Sequence, residues 1–117
     1  MVKARRREEG ELSTQVLAFF KAHNIFAWRM PVGPVIHRRG KGENVKEFWK
    51  KNPLKGFPDW AGVLRRKHRG VLFVIELKSS TGGLEPEQMS WLLDLQGSGV
   101  ACAVCRSIEE VEAALRA

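Results

Sequence analysis

The fold is decided by one apolar stretch near the middle of the chain, Val71-Leu72-Phe73-Val74-Ile75-Glu76-Leu77-Lys78. A nearly continuous apolar run of this length is typical of a central β-strand covered on both faces. Glu76 and Lys78 interrupt the run two residues apart, so the period of a strand places both on the face of Leu72 and Val74. A charge on a covered strand is costly unless it is paired or binds a metal. One interpretation is an ion pair at the exposed strand end, and the other is a functional site.

A second acid lies at the start of the predicted neighbouring strand. The segment Gly56-Phe57-Pro58-Asp59-Trp60 leads into this strand, and Gly70 signals the turn into the strand that contains Glu76. An acid at the start of one strand can lie beside an acid at the end of its neighbour. Two such carboxylates repel each other unless a divalent cation lies between them, and oxygen ligands suit Mg²⁺ or Mn²⁺ rather than Zn²⁺.

The remaining sequence alternates between helical and strand patterns, which predicts an α/β fold with the order α-β-β-β-α-β-α and a mixed central sheet flanked by helices. Pro86 in a first turn, and Ser107 with Glu110 as a capping box, support two of the helix starts. The predicted helices are 9–23, ending at Asn24, 85–96, and one after Ser107, and the predicted strands are 25–30, 59–66, 71–79 and 99–105.

Length and charge narrow the class of protein. The 117 residues predict a single domain, 1–117, with a basic N-terminal tail at 1–8. Twenty Lys and Arg against thirteen Asp and Glu give a net charge of +7, which favours a polyanionic partner, most often nucleic acid, over a role in solubility alone. The absence of a long apolar run or signal-peptide pattern predicts a cytoplasmic protein with no membrane partner, whose Cys102 and Cys105 stay unpaired.

Residues 31–56 form a basic insertion rich in proline and glycine. A long loop in a compact domain is usually functional or disordered. Residues 44–51 could form a short helix bearing Phe48 and Trp49, which are available for stacking on bases or for packing.

A wider set of residues surrounds the two acids: Glu11-x-x-x-Gln15, Trp28-Arg29, Gly56-x-Pro58-Asp59, Ile75-Glu76-x-Lys78, Gln88-x-x-Trp91-Leu92 and Gly99. Pro58-Asp59 followed by Glu76-Leu77-Lys78 resembles the PD-(D/E)XK nuclease superfamily. The whole set is similar to the VRR-NUC (virus-type replication-repair nuclease) family, which also includes the nuclease domain of the Fanconi-associated nuclease. The resemblance covers about residues 11–115 and is to stand-alone bacteriophage members. Two departures are Glu85-Pro86, where a Ser or Thr cap is expected, and the length of 31–56.

The resemblance implies a restriction-endonuclease-like core and a role for each matching residue. Lys78 would lie by the attacking water, and because neighbouring carboxylates favour its charged form, positioning is favoured over general-base action. Gln88 would face the site from the helix that follows. The implied catalytic residues are Asp59, Glu76, Lys78 and Gln88, and the implied ligands of Mg²⁺, for which Mn²⁺ would substitute, are Asp59, Glu76, the Leu77 main-chain carbonyl and Glu11, directly or through water.

The basic residues around these motifs are the predicted DNA contacts, with a solvated charged turn as the alternative for those near Gly70. The predicted contacts are Arg29, Arg38, Arg39, Lys41, Lys50, Lys51, Lys55, Arg65, Arg66, Lys67 and Arg69.

The implied function is metal-dependent cleavage of branched DNA, particularly Holliday junctions, by a homodimer in replication, repair or recombination, in a bacterial or phage-infected cell and without a nucleotide cofactor. One alternative is a nuclease of the same fold that acts on flaps, nicks or a duplex site. The other is a non-catalytic basic DNA-binding module. The complete set Asp59, Glu76 and Lys78 argues against the module, because pure binding gains nothing from acids that face phosphate.

Overall fold

The apolar stretch around Ile75 forms the longest strand of a mixed four-stranded sheet in a computed structural model that describes residues 2–116. In chain order the elements are α1 (Val2–Ala22), β1 (Phe26–Arg29), β2 (Val35–Arg39), a 3-10 turn (Gly42–Asn44), β3 (Lys46–Lys50), β4 (Trp60–Arg66), β5 (Arg69–Leu77), α2 (Pro86–Gly97), β6 (Ala101–Cys105) and α3 (Ile108–Arg116).

The four-stranded sheet has the order β1-β4-β5-β6. Strand β5 pairs antiparallel with β4 and parallel with β6, so the prediction of a mixed sheet is confirmed. A parallel neighbour requires a crossover connection, and α2 supplies it between β5 and β6.

Alternate residues of β5 enter two separate cores. Phe73, Ile75 and Leu77 pack with residues of α1 and α3, among them Val16 and Val111. On the other face, Val74 packs with Ala61 of β4 and Leu92 of α2. The central strand is therefore covered on both faces where Glu76 lies, as its apolar run predicts.

The two cysteines follow the same alternation along β6. Cys102 packs against the core beneath α2, whereas Cys105 belongs to the core beneath α1 and α3. Both are free thiols, as the sequence predicts.

Helix α1 begins at Val2 rather than at residue 9, so residues 2–8 extend the helix. No proline or glycine interrupts this segment before Gly10, and Glu8 and Glu9 contact the loop after β5, which stabilises the extended helix. The helix ends as predicted: Asn24 takes a φ of 53°, a conformation that asparagine tolerates better than most residues. Met1 lies outside the described residues.

The predicted helix at 44–51 is wrong, because this segment is half of a β-hairpin. The predicted order α-β-β-β-α-β-α therefore lacks the two hairpin strands, β2 and β3. Strands β2 and β3 pair antiparallel, with Ile36 opposite Trp49 and His37 opposite Phe48. Gly40 allows the turn, since it has a φ of 106° and an added Cβ would lie 2.3 Å from the carbonyl oxygen of Asn44. The Asn52 side chain closes the base of the hairpin by donating to the carbonyls of Pro31 and Gly33, at 2.5 and 3.0 Å.

The turn between β4 and β5 lies slightly earlier than Gly70 predicts. Arg66 pairs with Arg69, so the connecting residues are Lys67 and His68, and Lys67 takes a φ of 51°. Gly70 instead pairs with Arg65 inside the sheet. Within residues 2–116, no helix is long and apolar enough to cross a membrane.

Candidate active site

The start of β4 and the end of β5 bring Asp59 and Glu76 together. Trp60 pairs with Ile75, so the residue before Trp60 meets the residues that follow Ile75. The carboxylate of Asp59 accepts a hydrogen bond from the main-chain N–H of Leu77 at 2.8 Å. The predicted proximity of the two acids is therefore a property of the antiparallel pairing itself.

Glu76 is buried in an unusual environment for a carboxylate. Its side chain is 2% exposed, and Oε1 has no hydrogen-bond partner among the described residues. Its Oε2 lies 3.8 Å from Nζ of Lys78, which is itself buried. Burial, followed by the nearby charge of Asp59, raises the pKa of Glu76 to about 9, and Lys78 only partly opposes this rise.

These features fit a divalent cation. A buried carboxylate oxygen without a partner, beside a second carboxylate, is the arrangement that a cation between the two would stabilise. The N–H and C=O of one strand residue face the same neighbour, so the Leu77 carbonyl faces the Asp59 side, to which its N–H donates. Across residues 2–116, no three Asp, Glu, His or Cys side chains group closely enough to hold one metal. Mg²⁺ usually takes one or two carboxylates and completes its shell with water and substrate phosphate, so two acids suffice.

Lys78 connects the acid pair to a cleft of about 260 Å³ between α1 and the start of α3. Its main-chain N–H donates to the Cys105 carbonyl at 3.0 Å, which fixes the chain just beyond β5. Glu11 and Gln15 line this cleft with Lys78. Among residues 2–116, Glu11 does not group closely enough with Asp59 and Glu76 for the three to hold one metal. Of the two contacts that the resemblance implies for Glu11, direct or through water, the one through water is compatible with this position.

Gln88 lies in the first turn of α2, where its side chain is used in capping. Its amide oxygen accepts a hydrogen bond from the main-chain N–H of Glu85 at 2.9 Å, and Glu85 completes the capping box in place of the expected Ser or Thr. The segment that leads to Asp59 packs closely against this turn. A Cβ added at Gly56 would lie only 2.8 Å from the Cβ of Glu87, which shows how little space separates the two. Gln88 is thus near the acid segment, but in this structure its amide serves the helix end.

A second set of polar residues, which the sequence patterns do not single out, fixes the loop after Lys78. Glu8 accepts hydrogen bonds from the N–H and hydroxyl of Ser80, and Glu9 accepts one from the N–H of Ser79. Arg106 donates to the carbonyls of Ser79 and Gly82 at 2.6 and 2.5 Å. The contacts of Glu8 and Glu9 join residues 70 and 72 positions apart in the chain, and those of Arg106 join residues 27 and 24 positions apart. The only local sequence signal for this set is the pair of serines that follows Lys78.

The predicted DNA contacts divide between the two ends of the sheet. Arg29 ends β1 opposite Trp60, beside the acids, and the hairpin of β2 and β3 begins a few residues later. At the far end of β4 and β5 lies the second group: Arg65, Arg66, Lys67 and Arg69. The second group therefore lies around the β4–β5 turn, remote from the acids.

Several of these cations already have partners within the protein. Arg66 donates to the Leu115 carbonyl at 2.6 Å, which holds the end of α3. Lys51 and Lys55 lie 3.7 and 3.6 Å from the Glu87 carboxylate. On the hairpin, Arg38 pairs with Glu47 at 3.0 Å, whereas Arg39 and Lys50 each lie 5.6 Å from the centre of the Phe48 ring and leave their charges toward solvent. Arg29 and Lys41 are exposed as well.

A mixed β-sheet flanked by helices, with two acids and a lysine at the ends of adjacent strands, is compatible with a nuclease core. Comparison with known families matches the VRR-NUC domain over residues 34–109, which is most of the chain. The chain therefore belongs to the VRR-NUC family and carries a nuclease domain that acts on DNA. The match includes Asp59, Glu76 and Lys78, whereas Glu11 and Trp28 lie before it. Comparisons with curated proteins and with solved structures gave no significant match.

Proposed function

We propose that this protein is a Mg²⁺-dependent, structure-specific endonuclease that hydrolyses phosphodiester bonds in branched DNA. The observation that supports it most strongly is the buried Glu76 carboxylate, which lies beside Asp59 and Lys78 and has one oxygen without a hydrogen-bond partner in the part of the chain that the structure describes. A protein that only binds DNA would not retain this costly arrangement beside an otherwise basic surface.

Each of the three side chains has a distinct task in this proposal. Asp59 and Glu76, with the Leu77 carbonyl, hold the metal, and the Leu77 N–H fixes the orientation of Asp59. Mg²⁺ held there would supply Lewis-acid activation of the attacking water and would neutralise charge on the scissile phosphate. The Lys78 ammonium, held near Glu76, orients the attacking water and stabilises the charge that builds on the phosphate oxygens. Glu11 acts through water from the cleft that it shares with Lys78.

The basic residues supply contacts to the DNA backbone. The β2–β3 hairpin projects from the chain just after the end of β1 that lies beside Asp59, and a two-stranded ribbon fits the major groove of B-DNA. Its cationic face carries Arg39 and Lys50. Contacts of this kind position the substrate without reading its sequence.

The preferred substrate in this proposal is a four-way junction, cut by a homodimer. The support for this step is the family to which the chain belongs, together with the two-fold symmetry that would present two sites to a symmetric junction.

The test is a cleavage panel in Mg²⁺ or Mn²⁺ with labelled four-way junction, flap, nicked, single-stranded and linear duplex DNA. Glu76→Gln serves as the matched control, because it keeps the side-chain shape and removes the charge. Symmetric nicks on the junction that disappear in the control support the proposal. Cleavage of another structure keeps the nuclease and rejects the junction, whereas binding without cleavage in either metal rejects the enzyme.

A further inference from the structure

Two aromatic side chains, Phe26 and Trp28, lie exposed on the open edge of the sheet. Their exposed fractions are 69% and 39%, and their ring centres are 5.4 Å apart. Ala27 between them packs into the core beneath α1 and α3, so both rings lie on the opposite face of β1. Neither ring is needed to complete a core.

This face is the one that carries the acids. Trp28 lies opposite Ala61, which lies opposite Val74, and Glu76 follows on the same face of β5. The Met30 N–H donates to the Asp59 carbonyl at 2.8 Å, which continues the β1–β4 pairing past Trp60. Trp28 is therefore a diagonal neighbour of Asp59, a relation that places Cα atoms about 7–8 Å apart.

The face stays open because α2 covers only part of it. Leu92 of α2 packs on Val74 and Ala61, whereas Leu72, two residues earlier on β5, is 42% exposed. Phe26 lies opposite Val63, which in turn lies opposite Leu72. An uncovered aromatic and aliphatic strip thus runs from the acids to the far end of the sheet.

The charges around this strip indicate which kind of partner fits it. Neither β1 nor β4 contains an acidic residue, and Arg65 lies on the same face just beyond Val63, with Lys67 in the adjoining turn. A strip of π faces bordered by cations suits a strand of nucleic acid whose bases stack and whose phosphates pair with the cations. An apolar protein partner would gain nothing from the cations.

We propose that Phe26 and Trp28 form a stacking platform for unpaired nucleobases of the DNA strand that enters the acid site. This inference rests on the proposed function in taking DNA as the substrate, and it adds that the substrate carries a single-stranded or splayed segment beside the cut. Base stacking on an aromatic ring is tolerant of sequence, so the platform selects unpaired structure rather than a base order.

The experiment measures binding in EDTA, so that no cleavage occurs. The probes are an oligothymidylate that carries a fluorescent adenine analogue, whose emission falls on stacking, and the same strand annealed to its complement. We expect Phe26→Ala and Trp28→Ala each to weaken single-strand binding about 5- to 150-fold and to abolish the quenching, with a much smaller effect on duplex. Trp28→Phe should retain both, and Leu17→Ala, another exposed apolar truncation, should change neither.

Two results would overturn the platform: wild-type quenching and affinity in both alanine variants, or equal losses for single strand and duplex. Light scattering completes the test, since conversion of a dimer to a monomer in Trp28→Ala with unchanged affinity would make this face an interface between copies. Cleavage by the wild type is scored separately with Mg²⁺. If the wild type cleaves DNA while both alanine variants bind single strands normally, the platform is rejected and the nuclease proposal is retained. If the wild type does not cleave but its quenching depends on Trp28, the nuclease proposal is rejected and the platform is retained.

Discussion

The main-chain N–H of Leu77 donates to the carboxylate of Asp59 at 2.8 Å, so the first acid is hydrogen-bonded to the residue that follows the second acid. This contact couples catalytic geometry to the sheet. A shift in the β4–β5 register would separate Asp59 from Glu76 and would at the same time leave a donor without its partner.

Asp59→Asn and Asp59→Ala should differ in stability while both lose cleavage. Asparagine keeps an oxygen for the Leu77 N–H, whereas alanine leaves this partly buried donor unpaired, at a cost of about 1–3 kcal/mol. Urea unfolding of both variants measures the difference. Equal stability of the two would mean that water replaces the carboxylate without cost.

Stability without metal should fall as pH rises, because of Glu76. Its pKa is raised from 4.5 to about 9 in the folded protein, so the native state retains a proton that the unfolded state releases between these values. The free energy of unfolding therefore decreases from about pH 5 to about pH 9. Glu76→Gln should flatten this dependence and stabilise the metal-free protein at about pH 8, which urea unfolding in EDTA measures.

Exposed Glu43 supplies the control for this experiment, because Glu43→Gln removes a similar charge without altering the buried pair. Added Mg²⁺ should stabilise the wild type more at high pH, where Glu76 gives up its proton more readily, and should not stabilise Glu76→Gln. A wild-type stability that increases across the same pH range would contradict the assignment of Glu76 as a buried, protonated acid.

Lys78→Met should abolish cleavage and leave DNA affinity nearly unchanged. Methionine preserves most of the buried stem, and only the ammonium near Glu76 is lost. Lys78→Ala should lose cleavage as Lys78→Met does, but it should be less stable than Lys78→Met because the shorter side chain also leaves a cavity. Single-turnover cleavage and fluorescence anisotropy separate the two effects, and full activity in either variant would remove Lys78 from the proposed chemistry.

Arg39→Ala and Lys50→Ala should weaken DNA binding and lessen its dependence on salt. Each phosphate contact contributes about −0.9 to the slope of log affinity against log salt for duplex DNA, so each variant should lose about one unit. Arg66→Ala is the comparison variant. Because Arg66 donates to the Leu115 carbonyl, we expect its loss to lower the free energy of unfolding more than it lowers DNA affinity. A wild-type affinity that is flat with salt would contradict the phosphate contacts as a group.

The thiol of Cys105 should resist modification in the folded protein. Burial, with a smaller contribution from Glu110, raises the pKa of Cys105 to about 11, and burial also raises the pKa of Cys102. The thiolate is the reactive form, so a disulfide reagent at about pH 8 should label both thiols slowly until urea unfolds the chain. The variants Cys102→Ser and Cys105→Ser assign the labelling, and fast reaction of Cys105 in the native protein would contradict its buried position.

The acid pair was predictable because it depends on local rules. Strand periodicity puts Glu76 and Lys78 on one face, and an antiparallel connection brings Asp59 back to them. The position of Glu11 was not predictable in the same way, because it depends on the angle at which α1 docks on the sheet. The contacts of Glu8 and Glu9 with the loop after Lys78 depend on the same angle and on the unforeseen first turns of α1.

The β2–β3 hairpin is not predictable from the sequence for a different reason. Lys46 to Lys50 alternates charged and aromatic residues, but its partner strand is short and separated from it by Gly40 and Gly42, so neither strand carries a strong signal alone. The sequence also does not predict that Phe26 and Trp28 are exposed. Aromatic residues in a strand normally predict burial, and only the sheet order shows that β1 is an edge strand.

The separation of the two basic groups gives the protein a built-in length scale. Seven residues of β4 lie between Asp59 and the turn at Lys67, and eight steps of about 3.3 Å place these two residues about 26 Å apart. The nucleotides of one strand in a duplex advance about 3.4 Å each along the helix axis, so a DNA strand laid along the sheet with that spacing would have about eight nucleotides between the cut phosphate and the far cations. The length of one β-strand would then set the shortest arm of DNA that engages both ends of the molecule.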